Sequence, residues 1–175
     1  MFNKMILWSF LLLPWPTLFF LGKETVKRYM PVAIFVSLLV TILFEVAHAL
    51  KWWVMIEWIV PWGYITNVSF VYGIFLVGTI WIFRFTYRNF YLYMATNLVI
   101  DGLFAFVFSN LFEGRIYKLV NFNQFQVFLL MTGLALTIYL YQRWQEGIFI
   151  RNNEEFKNEF EFNLGKAFGF KKKAK

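Results

Sequence analysis

Glu45 and His48 stand one helical turn apart inside the apolar run PVAIFVSLLVTILFEVAHAL, from Pro31 to Leu50, and Asp101 interrupts a second run, FYLYMATNLVIDGLFAFVF, from Phe90 to Phe108. An ionisable side chain at bilayer depth costs at least ~2.5 kcal/mol, so each of these marks a functional centre or a deliberate contact between helices. Two carboxylates that repel one another, with an imidazole able to hold one of them ionised, are the residue types that exchange protons near neutral pH. Proton or cation handling is therefore the chemistry these residues point to, and a hydrogen-bond cluster that fixes helix register is the plain alternative.

Spacing groups further polar residues with them. Ser37, Thr41, Glu45 and His48 recur at helical intervals, and so do Tyr93, Asn97, Asp101, Ala105 and Ser109, so each set is expected on one face of its helix with the bundle interior between them. Counting about 1.5 Å per residue from the inner ends of the runs puts Glu45 roughly 21 Å and Asp101 roughly 17 Å across, with His48 at about 26 Å near Asn67 at about 24 Å. The expected polar centre is thus Glu45, His48, Asp101, Asn97, Asn67 and Thr41, with Gln126 and Thr132 positioned to complete it.

Other chemistries lack parts. Glu45-x-x-His48 resembles half of a carboxylate-bridged metal motif, but the second Glu-x-x-His and the further glutamates are missing, and one histidine does not supply a typical catalytic zinc site. Ser37 or Ser69 with His48 has neither a nucleophile motif nor a glycine-rich turn for an oxyanion. The chain has no cysteine, which removes thiol chemistry and disulfides. No cofactor or metal is expected. A lipid-modifying enzyme would need His48, Asn67 and Glu57 to converge at the outer headgroups.

The elements that must position these residues are membrane helices. Of the 175 residues 60% are hydrophobic and only 15% charged, whereas charged residues approach a quarter of soluble chains. Five stretches are candidates to cross: Met5–Leu21, Pro31–Trp53, Tyr64–Phe83, Phe90–Phe108 and Gln124–Tyr141. Pro14 and Pro16 break the first, and no small-residue cleavage site follows it, so it reads as a retained, kinked span rather than a signal peptide. With the amino terminus outside, 13 of the Lys and Arg residues fall in cytoplasmic segments and only Lys4, Lys51, Arg115 and Lys118 outside, as the positive-inside rule requires. The net charge of +7 is explained by that topology and does not call for nucleic acid. Val54 to Gly63 and the Ser109–Asn123 loop are expected to lie along the outer interface. Gly73, Gly78, Gly102 and Gly133 permit close helix packing.

After Trp144 the chain turns charged. Phe149, Phe156, Phe160, Leu164 and Phe168 approximate one helical face, followed by Lys171, Lys172, Lys173 and Lys175, which predicts an amphipathic tail lying on anionic headgroups. Residues 1–144 are thus expected to form the bundle and residues 145–175 the cytoplasmic tail.

The segments ILWSFLLLPW, KRYMPVAIFVSLLVTILFE and KWW resemble a group of small multipass membrane proteins of Bacillus-like spore-forming bacteria. That resemblance implies a bacterial plasma-membrane setting and supplies no catalytic residues. The sequence as a whole predicts an all-α, five-span integral membrane bundle, amino terminus outside and carboxy terminus cytoplasmic. It reads as a non-enzymatic accessory subunit of a larger membrane protein or a small carrier, with a proton-coupled transporter as the alternative and a lipid-modifying enzyme as the second.

Overall fold

The computed structural model describes residues 2–168, and side chains through residue 147. The chain is mostly helical, 76%, and divides into two compact units, residues 1–138 and 139–175. Three helices are long and apolar enough to cross a membrane.

In the first unit α1 runs over Phe2–Leu12 and is followed by a helical turn at Pro14–Thr17 and a tighter one at Leu18–Phe20. At 11 residues α1 reaches about 16 Å, so the stretch expected as one kinked helix is a short helix and two turns, interrupted where the prolines remove backbone donors. Helix α2, Lys23–Ala49, has 27 residues and carries Pro31 internally; it begins upstream of the expected start at Pro31, with Gly22 extended before it. Helix α3 covers Phe70–Thr86, its first part, Phe70–Phe75, wound as a π-helix. Helix α4 covers Phe90–Phe112, with a second π segment at Leu103–Phe108. Helix α5 begins at Gln124 and its backbone stays helical to Phe168; the boundary expected at 144/145 falls within it. Phe149, Phe156, Phe160, Leu164 and Phe168 have no described side chains, and Lys171, Lys172, Lys173 and Lys175 lie outside the described residues.

Polar side chains start α3, α4 and α5. Asn67 Oδ1 accepts from the backbone N–H of Ser69 (3.1 Å) and Phe70 (3.3 Å), and Asn89 Oδ1 from Tyr91 (3.0 Å) and Leu92 (3.2 Å). At α5 the arrangement is reciprocal: Asn123 Oδ1 accepts from Gln126 N and Gln126 Oε1 from Asn123 N, both at 2.9 Å, a capping box that satisfies donors a helix start leaves open.

The segment after α2 is a strand. Trp53–Met55 (β1) pairs antiparallel with Tyr117–Leu119 (β2), Val54 opposite Lys118. The ladder brings the carboxy-terminal ends of α2 and α4 to the same side. Asn3 Nδ2 donates to the carbonyl of Arg115 (3.3 Å) and Lys4 pairs with Glu57 (3.8 Å), so α1 starts on that side too. Beneath the ladder Leu7, Phe70, Ile116 and Tyr117 form a buried cluster with Phe10, Phe104 and Phe112 packed on it. Helix α1 crosses α3 at Gly73, where a Cβ would run into the carbonyl of Phe10 and the Cα of Leu11. That approach leaves Trp15 Nε1 to donate to the carbonyl of Tyr72 (3.1 Å) and Trp81 Nε1 to Thr17 Oγ1 (2.9 Å). In the second unit Gln142 Nε2 donates to Glu146 Oε1 at 3.0 Å.

Candidate functional site

The polar set of α4 stays on one face for its whole length. Tyr93, Asn97, Asp101, Ala105 and Ser109 are all buried, while Leu98, Val99, Ile100, Phe106, Val107 and Phe108 between them are exposed. In a pure α-helix residues four apart drift by about 40° per step. The π segment at Leu103–Phe108 takes more residues per turn and winds that drift back. The buried face meets α5 along an antiparallel seam. Tyr93 Oη donates to the carbonyl of Ala135 (2.8 Å), and Gln124 Nε2 donates to Asn110 Oδ1 (2.7 Å) at the other end. Asn97 Nδ2 donates to the carbonyl of Tyr93 (2.8 Å) on its own helix.

Asp101 lies between these ties, 5% exposed. The side chain that meets it is Thr132 of α5. Asp101 Oδ2 and Thr132 Oγ1 are both shut off from solvent, and neither has a hydrogen-bond partner among the described residues. Buried polar atoms are normally paired, since leaving one unpaired costs ~1–3 kcal/mol. Among the described residues Ser69 Oγ, Gln142 Oε1 and Gln145 Oε1 share that condition, and Asp101 is the one carboxylate in the set.

The α2 set behaves differently. Ser37 is buried, with its hydroxyl on the carbonyl of Ala33 (3.1 Å), and Thr41 donates to the carbonyl of Ser37 (2.8 Å) and lies 3.5 Å from the Tyr72 hydroxyl. Glu45 and His48 are exposed. Glu45 Oε1 accepts from Thr66 Oγ1 at 3.5 Å, and the His48 ring meets Tyr64 edge-on, centroids 6.0 Å apart. No π turn corrects this helix, so Glu45 has rotated about 80° from Ser37, while His48 returns to the Ser37 face only at the helix end.

Within the expected centre, then, Asn97 and Asp101 share the buried α4 face, and Thr132 of α5 lies beside Asp101. No hydrogen bond or ion pair among the described residues joins Glu45, His48 and Asp101. Asn67 is buried but its carbonyl oxygen is committed to starting α3, with its amide 3.8 Å from Met55 Sδ, and Gln126 is committed to the α5 cap. Glu57 is paired with Lys4 at 3.8 Å. Among the described residues no group of three or more His, Cys, Asp or Glu is placed to hold a metal.

A feature that hydropathy does not reveal is a cleft between α5 and the α2, α3, α4 wall. About 680 Å³ of empty space, counting its open side, is lined by apolar residues including Val40, Phe44, Phe104, Val127, Met131 and Leu134. Neither Asp101 nor Glu45 reaches it. The fold and this geometry define the class, a mostly helical protein with three helices long and apolar enough to cross a membrane. No family model, curated protein or solved structure matches the chain.

Proposed function

We propose that the protein is a non-enzymatic accessory subunit of a larger membrane protein, a five-span bundle of a bacterial plasma membrane with its amino terminus outside and its carboxy terminus cytoplasmic. The path of the first unit supports five crossings. Chain segments meet the ladder side at Asn3, at the end of α2, at the start of α3, at the end of α4 and at the start of α5. Thr17 meets Trp81, which lies further along α3 than the Tyr72 carbonyl bound by Trp15. Phe2–Phe20 thus tracks α3 away from the ladder, short as its helical pieces are.

The observation that carries the accessory reading is the outward face of α2. Glu45 is exposed at the end of a row formed by Ile34, Leu38 and Ile42, each at least half exposed. A carboxylate with a single long hydrogen bond next to lipid is costly, and a partner helix bearing a donor would cover it. A carrier would instead need a polar passage, and the cleft between α5 and the α2, α3, α4 wall is apolar. Glu45→Gln is expected to release the partner in mild detergent while the bundle itself remains folded. Retention of the partner at wild-type yield by both Glu45→Gln and Glu45→Leu would remove this reading.

The unpartnered pair Asp101 and Thr132 favours a second reading, an ion or proton pathway centred on Asp101. Purified protein in proteoliposomes would then carry pH-dependent flux that Asp101→Asn abolishes. The accessory reading expects no such flux from the protein alone.

A further inference from the structure

We infer that the cleft between α5 and the α2, α3, α4 wall is a binding site for one acyl chain of a membrane phospholipid. The inference stands on the cleft alone and not on the accessory role. On the α5 side the lining residues are Val127, Leu130, Met131 and Leu134, spaced as one helical face and each half-buried; opposite them stand Val40, Leu43 and Phe44 of α2. The Tyr117 hydroxyl, among the few polar groups at the wall, is turned away to donate to Ser109 Oγ at 2.9 Å. Such a cavity does not hold water, because it offers no set of polar partners. Left empty, its walls forfeit dispersion contacts on one side.

The cleft has the chemistry and the place for hydrocarbon. Its walls belong to α2, α3, α4 and α5, of which α2, α4 and α5 are long and apolar enough to cross a membrane, so lipid chains are the solvent at its open side. The ladder residues Trp53, Met55, Tyr117 and Leu119 close one end. Leu119 is shared with a shallower groove that carries Glu113, Asn123 and Gln124. An apolar slot continuing into a polar rim on the ladder side matches an acyl chain joined to a headgroup.

The test is photolabelling of the full-length protein in phosphatidylglycerol nanodiscs doped with a phospholipid that carries a diazirine at mid-chain, with adducts mapped to single residues. The expected result is adducts on Leu43, Leu130 and Leu134 beside those on the outward residues Ile34 and Leu38. Filling the cleft with Leu134→Trp, or independently with Val40→Phe, should lower the cleft adducts at least fivefold and leave the outward ones unchanged. Adducts confined to Ile34 and Leu38, or cleft adducts indifferent to both filling variants, would overturn the inference. Displacement of the label by an equimolar free fatty acid would also overturn it, by assigning the cleft to a different alkyl ligand.

Discussion

Thr132 of α5 lies within hydrogen-bonding reach of Asp101 of α4, but distance and angle leave Asp101 Oδ2 and Thr132 Oγ1, both buried, without a well-formed hydrogen bond among the described residues. Around them the seam is closed by direct bonds, Tyr93 to Ala135 and Gln124 to Asn110. An amide at position 101 would offer a donor where the carboxylate offers none. Asp101→Asn should therefore stabilise the bundle by about 1 kcal/mol, and Thr132→Val should be neutral or mildly stabilising. Equilibrium unfolding in mixed micelles checks both. A loss of more than about 1 kcal/mol in Asp101→Asn would show that the carboxylate is already paired.

Gly73 and Gly78 lie on the same helix in opposite circumstances. A side chain at Gly73 would strike the backbone of Phe10 and Leu11, whereas a Cβ at Gly78 meets nothing within 4 Å. Gly73→Val is expected to cost about 3 kcal/mol or to detach α1, since backbone cannot yield as a side chain can. Gly78→Ala should gain up to about 1 kcal/mol through helix propensity. Limited proteolysis near Pro14, read beside unfolding midpoints, separates detachment of α1 from general destabilisation.

Much of this layout is legible in the sequence. The four-residue recurrence of Tyr93, Asn97, Asp101, Ala105 and Ser109 marks the buried face of α4 correctly. The same spacing misleads in α2, because the pattern holds over several turns only where a π segment cancels the drift, and no residue type announces one. Three of the five apolar stretches become helices long enough to cross; the stretch at Met5 is broken by its prolines and α3 is shorter. The ladder between Trp53–Met55 and Tyr117–Leu119 is invisible to local patterning, since each strand is stabilised by a partner far along the chain. Asn123-x-x-Gln126 has the form of a capping box. Read as a cap, Gln126 belongs to the start of α5 and not to the polar centre.

That capping box gives a direct measure of how firmly α5 is started. Asn123→Ala should cost about 1 kcal/mol, and Gln126→Ala less, because the first removes the acceptor that satisfies a helix N–H. The double variant should fall short of the sum, since the two bonds form one reciprocal unit. Strict additivity in a double-mutant cycle would argue against the reciprocal bonds.

Tyr117, on the ladder, has a phenol pushed above its ordinary value of 10.0 by burial. A raised value favours the neutral form in the folded chain, so its contribution to stability is complete below about pH 10 and is lost as pH rises through the folded value. The wild type should lose stability above pH 10 more steeply than Tyr117→Phe. Parallel alkaline melting curves for the two proteins check the sign. Tyr117→Phe should also cost about 1 kcal/mol at neutral pH through the bond to Ser109.

The central claim, that the α2 face ending in Glu45 receives a partner subunit, is tested most directly by photo-crosslinking in native membranes. A photoreactive amino acid is placed at Leu38, with a control at the exposed Leu129 of α5. The account predicts one discrete protein adduct at Leu38, heavier than two copies of this chain, lost on Glu45→Gln and absent at Leu129. Lipid adducts alone at Leu38, an adduct weighing two copies, or an adduct indifferent to Glu45→Gln would contradict it.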